Sequence, residues 1–524
     1  MTDKNKKFYN SLAESQPVAS KASGGLLNKF SNFLKLREAK YDFEKIAIKP
    51  RSGGKFYITT TLPYVNADPH IGFALEIIQA DVLARYHANL GYEVFFNTGV
   101  DEHGLKIFRK AQESKMDPQK YCDIYAEKFD SLKQALNLSY NSFIRTTNPH
   151  HIDAAQHFWD ICFKNGDIYK KNYKIKYCVG CELEKTESEL VNGRCPIHPN
   201  LEIEIIEEEN YFFRYSKYQN QLLDFYEKNP DFVVPKSRLN EIKQFTKKGL
   251  EDFSISRLKE KMPWGVPVPD DQEHIMYVWF DALINYISVL GWPENSKKFN
   301  HFWPGLQVAG KDNLRQQSSM WQAMLLSAGL PNSRQVFIHG FVTADGQKMS
   351  KSLGNVIDPF LLVKKYGTDA VRYYLLREIL PSEDGDFTYE KFEQRYNSDL
   401  AGGIGNLVAR TLGIAGESDI KESKPTKKVV EKVKEINKKY QTSIEKFRFN
   451  DALSSIWELI SFCDKYINEE KLWETKKPGV INDLFFIIKE IAGLLSPFLP
   501  ETSEKISMAI KNKKSEILFP KIIK

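Results

Sequence analysis

Two short stretches of the chain carry residue types suited to handling a phosphorylated ligand. The first is Pro69-His70-Ile71-Gly72-Phe73, at the end of the run TLPYVNADPHIGF. A histidine there can donate a hydrogen bond to a phosphate oxygen, and a glycine two residues on lets the backbone approach a nucleotide closely. The second is Lys348-Met349-Ser350-Lys351-Ser352, which follows the turn sequence Ala344-Asp345-Gly346. Two lysines three apart on one loop can close over a triphosphate and neutralise charge as pyrophosphate leaves. Taken singly, each stretch has an ordinary reading: a polar turn with an incidental histidine, and a basic surface loop. The five-residue lysine string is much less common than a bare lysine pair.

A third cluster has metal-ligand spacing. Cys178-x-x-Cys181 and Cys195-x-x-His198 flank 13 residues that include Asn192-Gly193, a hairpin turn signal. Three sulfurs and one imidazole on two knuckles make a closed tetrahedral site for Zn2+, and with no open position the metal is expected to be structural. The other three cysteines, Cys122, Cys162 and Cys463, stand alone and are expected in packed helices. Six cysteines in 524 residues do not make a disulfide framework, which points to a reducing, cytoplasmic setting.

These residues need elements to hold them. Phe56–Thr61 is a β-rich run, followed by a polar turn, a helical stretch from Ile71 to Leu90, and a second strand at Glu93–Asn97. That order reads as the start of a parallel α/β sheet, with the first signature at a strand's carboxyl end, where ligands bind. Residues 167–210 interrupt the rhythm with cysteines and glutamates, as an insertion would. Alternating α/β character returns from about Met276 to Tyr373. Beyond about 400 the signals are helical: Val429, Val430, Val433, Ile436, Tyr440, Ile444 and Phe447 share one face, after a loop at 416–426. Residues 1–53 read as an extension, with Leu26, Leu27, Phe30, Phe33 and Leu34 at helical spacing.

Composition agrees with several folded domains. Apolar residues make up 42% and charged residues 27%, an ordinary globular balance. The net charge of +6 permits an acidic partner without demanding one. No run approaches the roughly 20 apolar residues of a membrane helix, and no export signal opens the chain.

In this order and about 280 residues apart, the two phosphate-type signatures resemble those of class I aminoacyl-tRNA synthetases. Their surroundings narrow the resemblance to the methionyl-tRNA synthetase family: TLPYVNADPHIG, VDEHG (100–104), YVWFDALINY (277–286), AGKDNLR (309–315) and HGFVTADGQKMSKSLGN (339–355). The resemblance runs from about Phe56 to the C-terminus. It implies a Rossmann-type α/β catalytic domain with a zinc-bearing insertion and a C-terminal all-α helix-bundle domain. The expected division is an extension at 1–53, catalytic halves at 54–165 and 246–345, and the connective insertion at 166–245. A KMSKS and stem-contact region at 346–399 and an anticodon-binding domain at 400–524 complete it.

The chemistry implied is ATP-dependent formation of methionyl-adenylate, followed by transfer to the terminal ribose of the tRNA, with Mg2+ accompanying ATP. By match of motif, His70, Gly72, Gly310, Asp312, Lys348 and Lys351 serve the nucleotide, with His70 and the two lysines catalytic. Leu62, Tyr64, Asp101, Trp279, Ala282, Tyr286 and Gln317 serve methionine. Asp101 is suited to the ammonium group, and the aromatics to a polarizable thioether. Without the motif, Trp279 and Tyr286 would read as core packing. Arg257, in SISR, matches an arginine that meets the carboxylate or phosphates. Asn406 and Arg410 share a helical face, and with Trp473 they match readers of a CAU anticodon.

Three positions depart from the family pattern. Phe73 replaces the second histidine of HIGH, Gln316 and Gln317 stand where many relatives have Phe-His, and Val100 replaces a commonly polar residue. A synthetase for leucine, isoleucine or valine would need a large editing insertion, for which Val100 to Met276 is too short. A cysteine-specific enzyme would draw its zinc ligands from dispersed positions. A small-molecule adenylyltransferase would not need the helical C-terminal part. A non-catalytic tRNA-binding paralogue draws some support from Phe73 alone. The end at Lys524 leads to the expectation of a monomer without an appended dimerising domain.

Overall fold

The alternation read from the sequence becomes a six-stranded sheet, parallel throughout. Its strands are β1 (Lys55–Thr60), β2 (Glu93–Val100), β3 (Ser142–Arg145), β4 (Val233–Val234), β5 (Leu306–Gly310) and β6 (Gln335–His339), in the order β3-β2-β1-β5-β6-β4. Register runs Lys55↔Glu93 between β1 and β2, and Ile58↔Leu306 between β1 and β5. Five of the six residues of β1 are buried, as a parallel strand covered on both faces requires. The structure, a computed structural model, describes residues 54–523 apart from 186, 350–353, 417–422 and 515. The segment 26–34, the whole 1–53 extension and Lys351 therefore lie outside the described residues.

Helix α1 (Ile71–Asn89) follows β1 and is buried from Ile71 to Tyr86 except at Gly72 and Phe73. Its buried charges are matched. Asp81 accepts from Arg85 at 2.8 Å and pairs with the fully buried Arg372 at 2.8 Å. The Arg372 guanidinium also donates to the carbonyls of Leu136, Pro497 and Phe498.

A second sheet is antiparallel and four-stranded, built from Leu183–Lys185, Ile168–Cys178, Glu204–Phe213 and Phe253–Ser254, the last of them beyond the insertion expected at 166–245. Asn192 and Gly193 both take positive φ, 52° and 72°, at the turn closed by the isolated bridge between Val191 and Arg194. A C-terminal array of helices includes Asn406–Ala415, Lys427–Glu445, Phe449–Glu469, Pro478–Leu495 and Pro500–Asn512. Val429, Val433, Ile436, Tyr440 and Ile444 form the buried face of the second, while Phe447 is buried just beyond its end. Cys122, Cys162 and Cys463 are buried in helices. No described helix is long and apolar enough to cross a membrane.

Candidate active site and metal centre

β1 and β5 are neighbours, but the chain leaves β1 towards β2 and leaves β5 towards β6. A cleft opens at their carboxyl ends where the two windings diverge. The first signature lies on one side of it. His70 caps α1: its Nδ1 accepts the N–H of Gly72 at 3.1 Å. That bond fixes the tautomer, so Nε2 carries the proton as a donor. The ring is open to solvent, yet desolvation by the surrounding walls lowers its pKa and favours the neutral form. The other amides of the first turn are taken too, Ile71 N by Ile357 O and Phe73 N and Ala74 N by His70 O. The helix thus offers the imidazole N–H, not a row of unused amides. Gly72 is needed for this packing, since a Cβ would lie 2.9 Å from His70 Cε1 and 3.7 Å from Met349 Cε. Phe73 sets its ring edge-on to Phe129, with centroids 5.4 Å apart.

At the base of the cleft, Glu76 links both halves of the sheet. Its Oε1 accepts the N–H and hydroxyl of Thr61 at 2.8 and 2.6 Å, and its Oε2 lies 2.9 Å from His339 Nε2, at the end of β6. Burial lowers the His339 pKa, but Glu76 and the Gly340 carbonyl outweigh it, so the net direction is up and the imidazolium is favoured. Sequence reasoning assigned neither residue a role. The signal it had was a carboxylate inside an apolar helical run. Gly310 ends β5, where a Cβ would meet Asp312 Oδ1 at 2.9 Å. Asp312 is exposed at the cleft edge, and desolvation there and the charge of Glu76 raise its pKa.

Lys348 stands on a hairpin of Val342–Ala344 and Gln347–Lys348, turned by Asp345 and Gly346 at φ 51° and 73°. Asp386 anchors the hairpin by accepting from Thr343 Oγ1 and Gly346 N, each at 2.7 Å. The Lys348 ammonium reaches the carbonyl of Ile197 at 3.5 Å, beside the cysteine cluster.

The methionine-type residues gather beyond β1 and β2. Asp101 N donates to Pro63 O and Val65 N to Asp101 O, continuing the parallel pairing past the strands. This puts Leu62 and Tyr64 beside Asp101. The Asp101 carboxyl is buried, and among the described residues no cation bonds to it. Burial and the charges of Asp281, Glu182 and Glu102 raise its pKa, against the lowering effect of the His103 amide. His103 ties that loop to Asp281 at 2.9 Å, next to Ala282. Tyr64 and Trp279 pack on one small aromatic cluster, and Tyr64 Oη and Trp279 Nε1 are buried without hydrogen-bond partners among the described residues. Tyr286 accepts from Gln317 Nε2 at 2.7 Å, while Gln317 Oε1 accepts from Gln307. Gln317 is thereby fixed with its amide N–H on the tyrosine. Arg257 is buried between the rings of Tyr177 and Tyr277 and donates to Ser254 Oγ and Ser256 O at 2.7 Å.

The ligand atoms of Cys178, Cys181, Cys195 and His198 all lie within 4.8 Å of one another. Cys178 Sγ is 3.8 Å from His198 Nδ1, and Cys181 Sγ is 3.9 Å from Cys195 Sγ. Zn–S bonds of about 2.3 Å at tetrahedral angles need sulfurs roughly 3.8 Å apart, so the donor set fits zinc.

In the helical part, Arg410 donates to Asn468 Oδ1 at 2.8 Å and lies 5.5 Å from the Trp473 ring centre. Asn406 is exposed one turn earlier on the same helix, and Trp473 is 47% exposed. The structure brings Arg410, Trp473 and Asn468 together, while Asn406 shares the helix face of Arg410 only through its place one turn before it. Asn468 was not foreseen.

Residues 56–412 match the family model of class I tRNA synthetases (M), and 426–522 that of the anticodon-binding domain of tRNA ligases. The chain is 45% identical over 471 residues to the methionine–tRNA ligase of Thermotoga maritima, covering 86% of this chain and 74% of that one. It is 44% identical to that of Thermosynechococcus vestitus, covering 86% and 89%. A solved structure of Mycobacterium tuberculosis methionyl-tRNA synthetase in complex with methionyl-adenylate superposes with a TM-score of 0.83 at 35% identity, covering 87% of this chain and 93% of that one.

Proposed function

The chain belongs to the class I methionyl-tRNA synthetases and ligates methionine to tRNA at the expense of ATP, and we propose that the cleft between β1 and β5 carries both half-reactions. The observation that bears most of this reading is the 3.1 Å bond from Gly72 N–H to His70 Nδ1, which reserves Nε2–H for a ligand.

In the first half-reaction a methionine carboxylate oxygen bonds to the α-phosphorus of magnesium-bound ATP, and the bond to pyrophosphate breaks. The adenylate carbonyl is then attacked by a hydroxyl of the tRNA's terminal ribose, releasing AMP. Neither step needs a covalent bond to the enzyme, so the protein works by positioning and charge stabilisation. His70 donates to a phosphate oxygen, Gly72 and Gly310 give the nucleotide close backbone approach, and Asp312 accepts from the adenosine ribose. Lys348 and Lys351 neutralise the departing pyrophosphate. Asp101, buried among like charges, gains most from a cation, and the methionine ammonium supplies it. Leu62, Tyr64, Trp279, Ala282 and Tyr286 enclose the side chain, with Gln317 orienting Tyr286. Arg257 meets the carboxylate or phosphates.

Cys178, Cys181, Cys195 and His198 hold one zinc ion, which when bound supplies a structural cross-link. Asn406, Arg410 and Trp473 read the CAU anticodon by hydrogen bonds and stacking. The alternative of a non-catalytic paralogue is not favoured, since the ligases it resembles keep 40–45% identity over most of the chain.

The expected result is methionine-dependent ATP–pyrophosphate exchange, little with leucine or homocysteine, charging of tRNA bearing CAU, and one zinc per chain by atomic emission. Absence of exchange would overturn the site assignment. Exchange without charging would overturn the anticodon assignment alone.

A further inference from the structure

The residue after the second cysteine of the metal cluster does something the metal does not require. Glu182 follows Cys181, is fully buried, and holds φ at 54°, in the left-handed region that suits glycine. A glycine would make the turn with less strain, so the side chain must have its own use.

Its carboxylate and its carbonyl both bond to residues that pack against Tyr64 and Trp279. Oε1 accepts the backbone N–H of Lys106 at 2.9 Å, and Oε2 accepts the hydroxyl of Tyr177. The Glu182 carbonyl accepts the hydroxyl of Tyr277. The fit leaves little room: a Cβ on Gly104 would come within 3.1 Å of Oε1. Tyr177 and Tyr277 form, with Val278, the buried cluster on which Tyr64 and Trp279 pack. The Arg257 guanidinium lies 5.0 Å from the centre of each tyrosine ring. Lys106 sets its ammonium 5.7 Å from the Tyr64 ring centre and donates to Gly180 O, within the first knuckle, at 3.0 Å.

We propose that Glu182 is a positioning residue for the methionine site, the strut by which the cysteine–histidine knuckle sets Tyr64 and Trp279. The proposal rests on the assignment of Tyr64 and Trp279 to the methionine pocket.

Glu182→Gly and Glu182→Gln in the full chain separate the strut from the turn. The glycine variant suits the backbone and lacks the carboxylate, whereas glutamine keeps an oxygen for the Lys106 amide. E182G is expected to retain one zinc per chain, while methionine affinity by tryptophan fluorescence and KM for methionine in exchange both worsen by about tenfold or more. KM for ATP should stay within about twofold, and E182Q should recover most of the loss. Unchanged methionine affinity in E182G would overturn the proposal, as would equal rises in both KM values. Should E182G lose zinc, the Tyr177→Phe/Tyr277→Phe double variant decides: raised methionine KM with zinc retained supports the strut, and a wild-type KM refutes it. A wild-type enzyme without methionine-dependent exchange would sink the pocket assignment and this proposal together, whereas an active wild type with an unaffected E182G sinks this proposal alone.

Discussion

At the scale of single residues, the cleft depends on which nitrogen of His70 carries the proton. Because Nδ1 is committed to the Gly72 amide, His70→Ala removes a cap and, on the proposed assignment, a phosphate donor. Exchange should fall by roughly 10²-fold in kcat, the usual size for one preorganised donor, with methionine affinity by fluorescence little changed. A second histidine gives a pH prediction. His87 stacks face to face on Phe56, with centroids 3.6 Å apart, and burial pushes its pKa down to about 4 against the raising effect of the Leu83 carbonyl. The folded chain therefore favours neutral His87, while the unfolded chain takes up the proton near 6.5. Stability from this site is present above about 6.5 and is lost as pH falls towards about 4. Urea midpoints at pH 7 and pH 5 should differ less in His87→Phe than in wild type; an equal difference would show that other groups carry the acid sensitivity.

At the scale of elements, the hairpin carrying Lys348 is held by one carboxylate, since Asp386 accepts from both Thr343 and Gly346. If the hairpin serves the triphosphate, as proposed, Asp386→Ala should lower kcat for exchange by about tenfold and leave methionine affinity within about twofold. Exchange at the wild-type rate would show that the anchor is dispensable. Much at this scale was legible in the sequence. The β1 and α1 runs, the two turn signals and the knuckle spacing each depend on neighbours close in the chain. The Glu76–His339 bond was not legible, because its partners are 263 positions apart and meet only when β6 joins the sheet. Phe73 shows the same limit from the other side: its type signalled a missing donor, while its contact with Phe129 emerged only on folding. Glu76, Asp81 and Arg85 lie within the helical stretch read from the sequence, but nothing in that reading gave them buried partners.

At the scale of the whole molecule, Arg372 ties together segments far apart in the chain. It pairs with Asp81 of α1 and donates to carbonyls of Leu136, Pro497 and Phe498. Arg372→Met leaves Asp81 with Arg85 and Ser139 but strips three buried carbonyls of their donor. A loss of about 3–5 kcal/mol is expected for breaking such a buried charged network, read as a lowered denaturant midpoint. A change under about 1 kcal/mol would mean that water takes over the guanidinium's bonds. The family models divide the chain between 412 and 426, which invites cutting it there into a catalytic piece and a tRNA-reading piece. Such a fragment would keep Arg372 and lose the Pro497 and Phe498 carbonyls, opening a buried cation to solvent. That border thus does not separate parts that pack independently: parts swapped between relatives there should fold only when the last helices travel together with the arginine they cover.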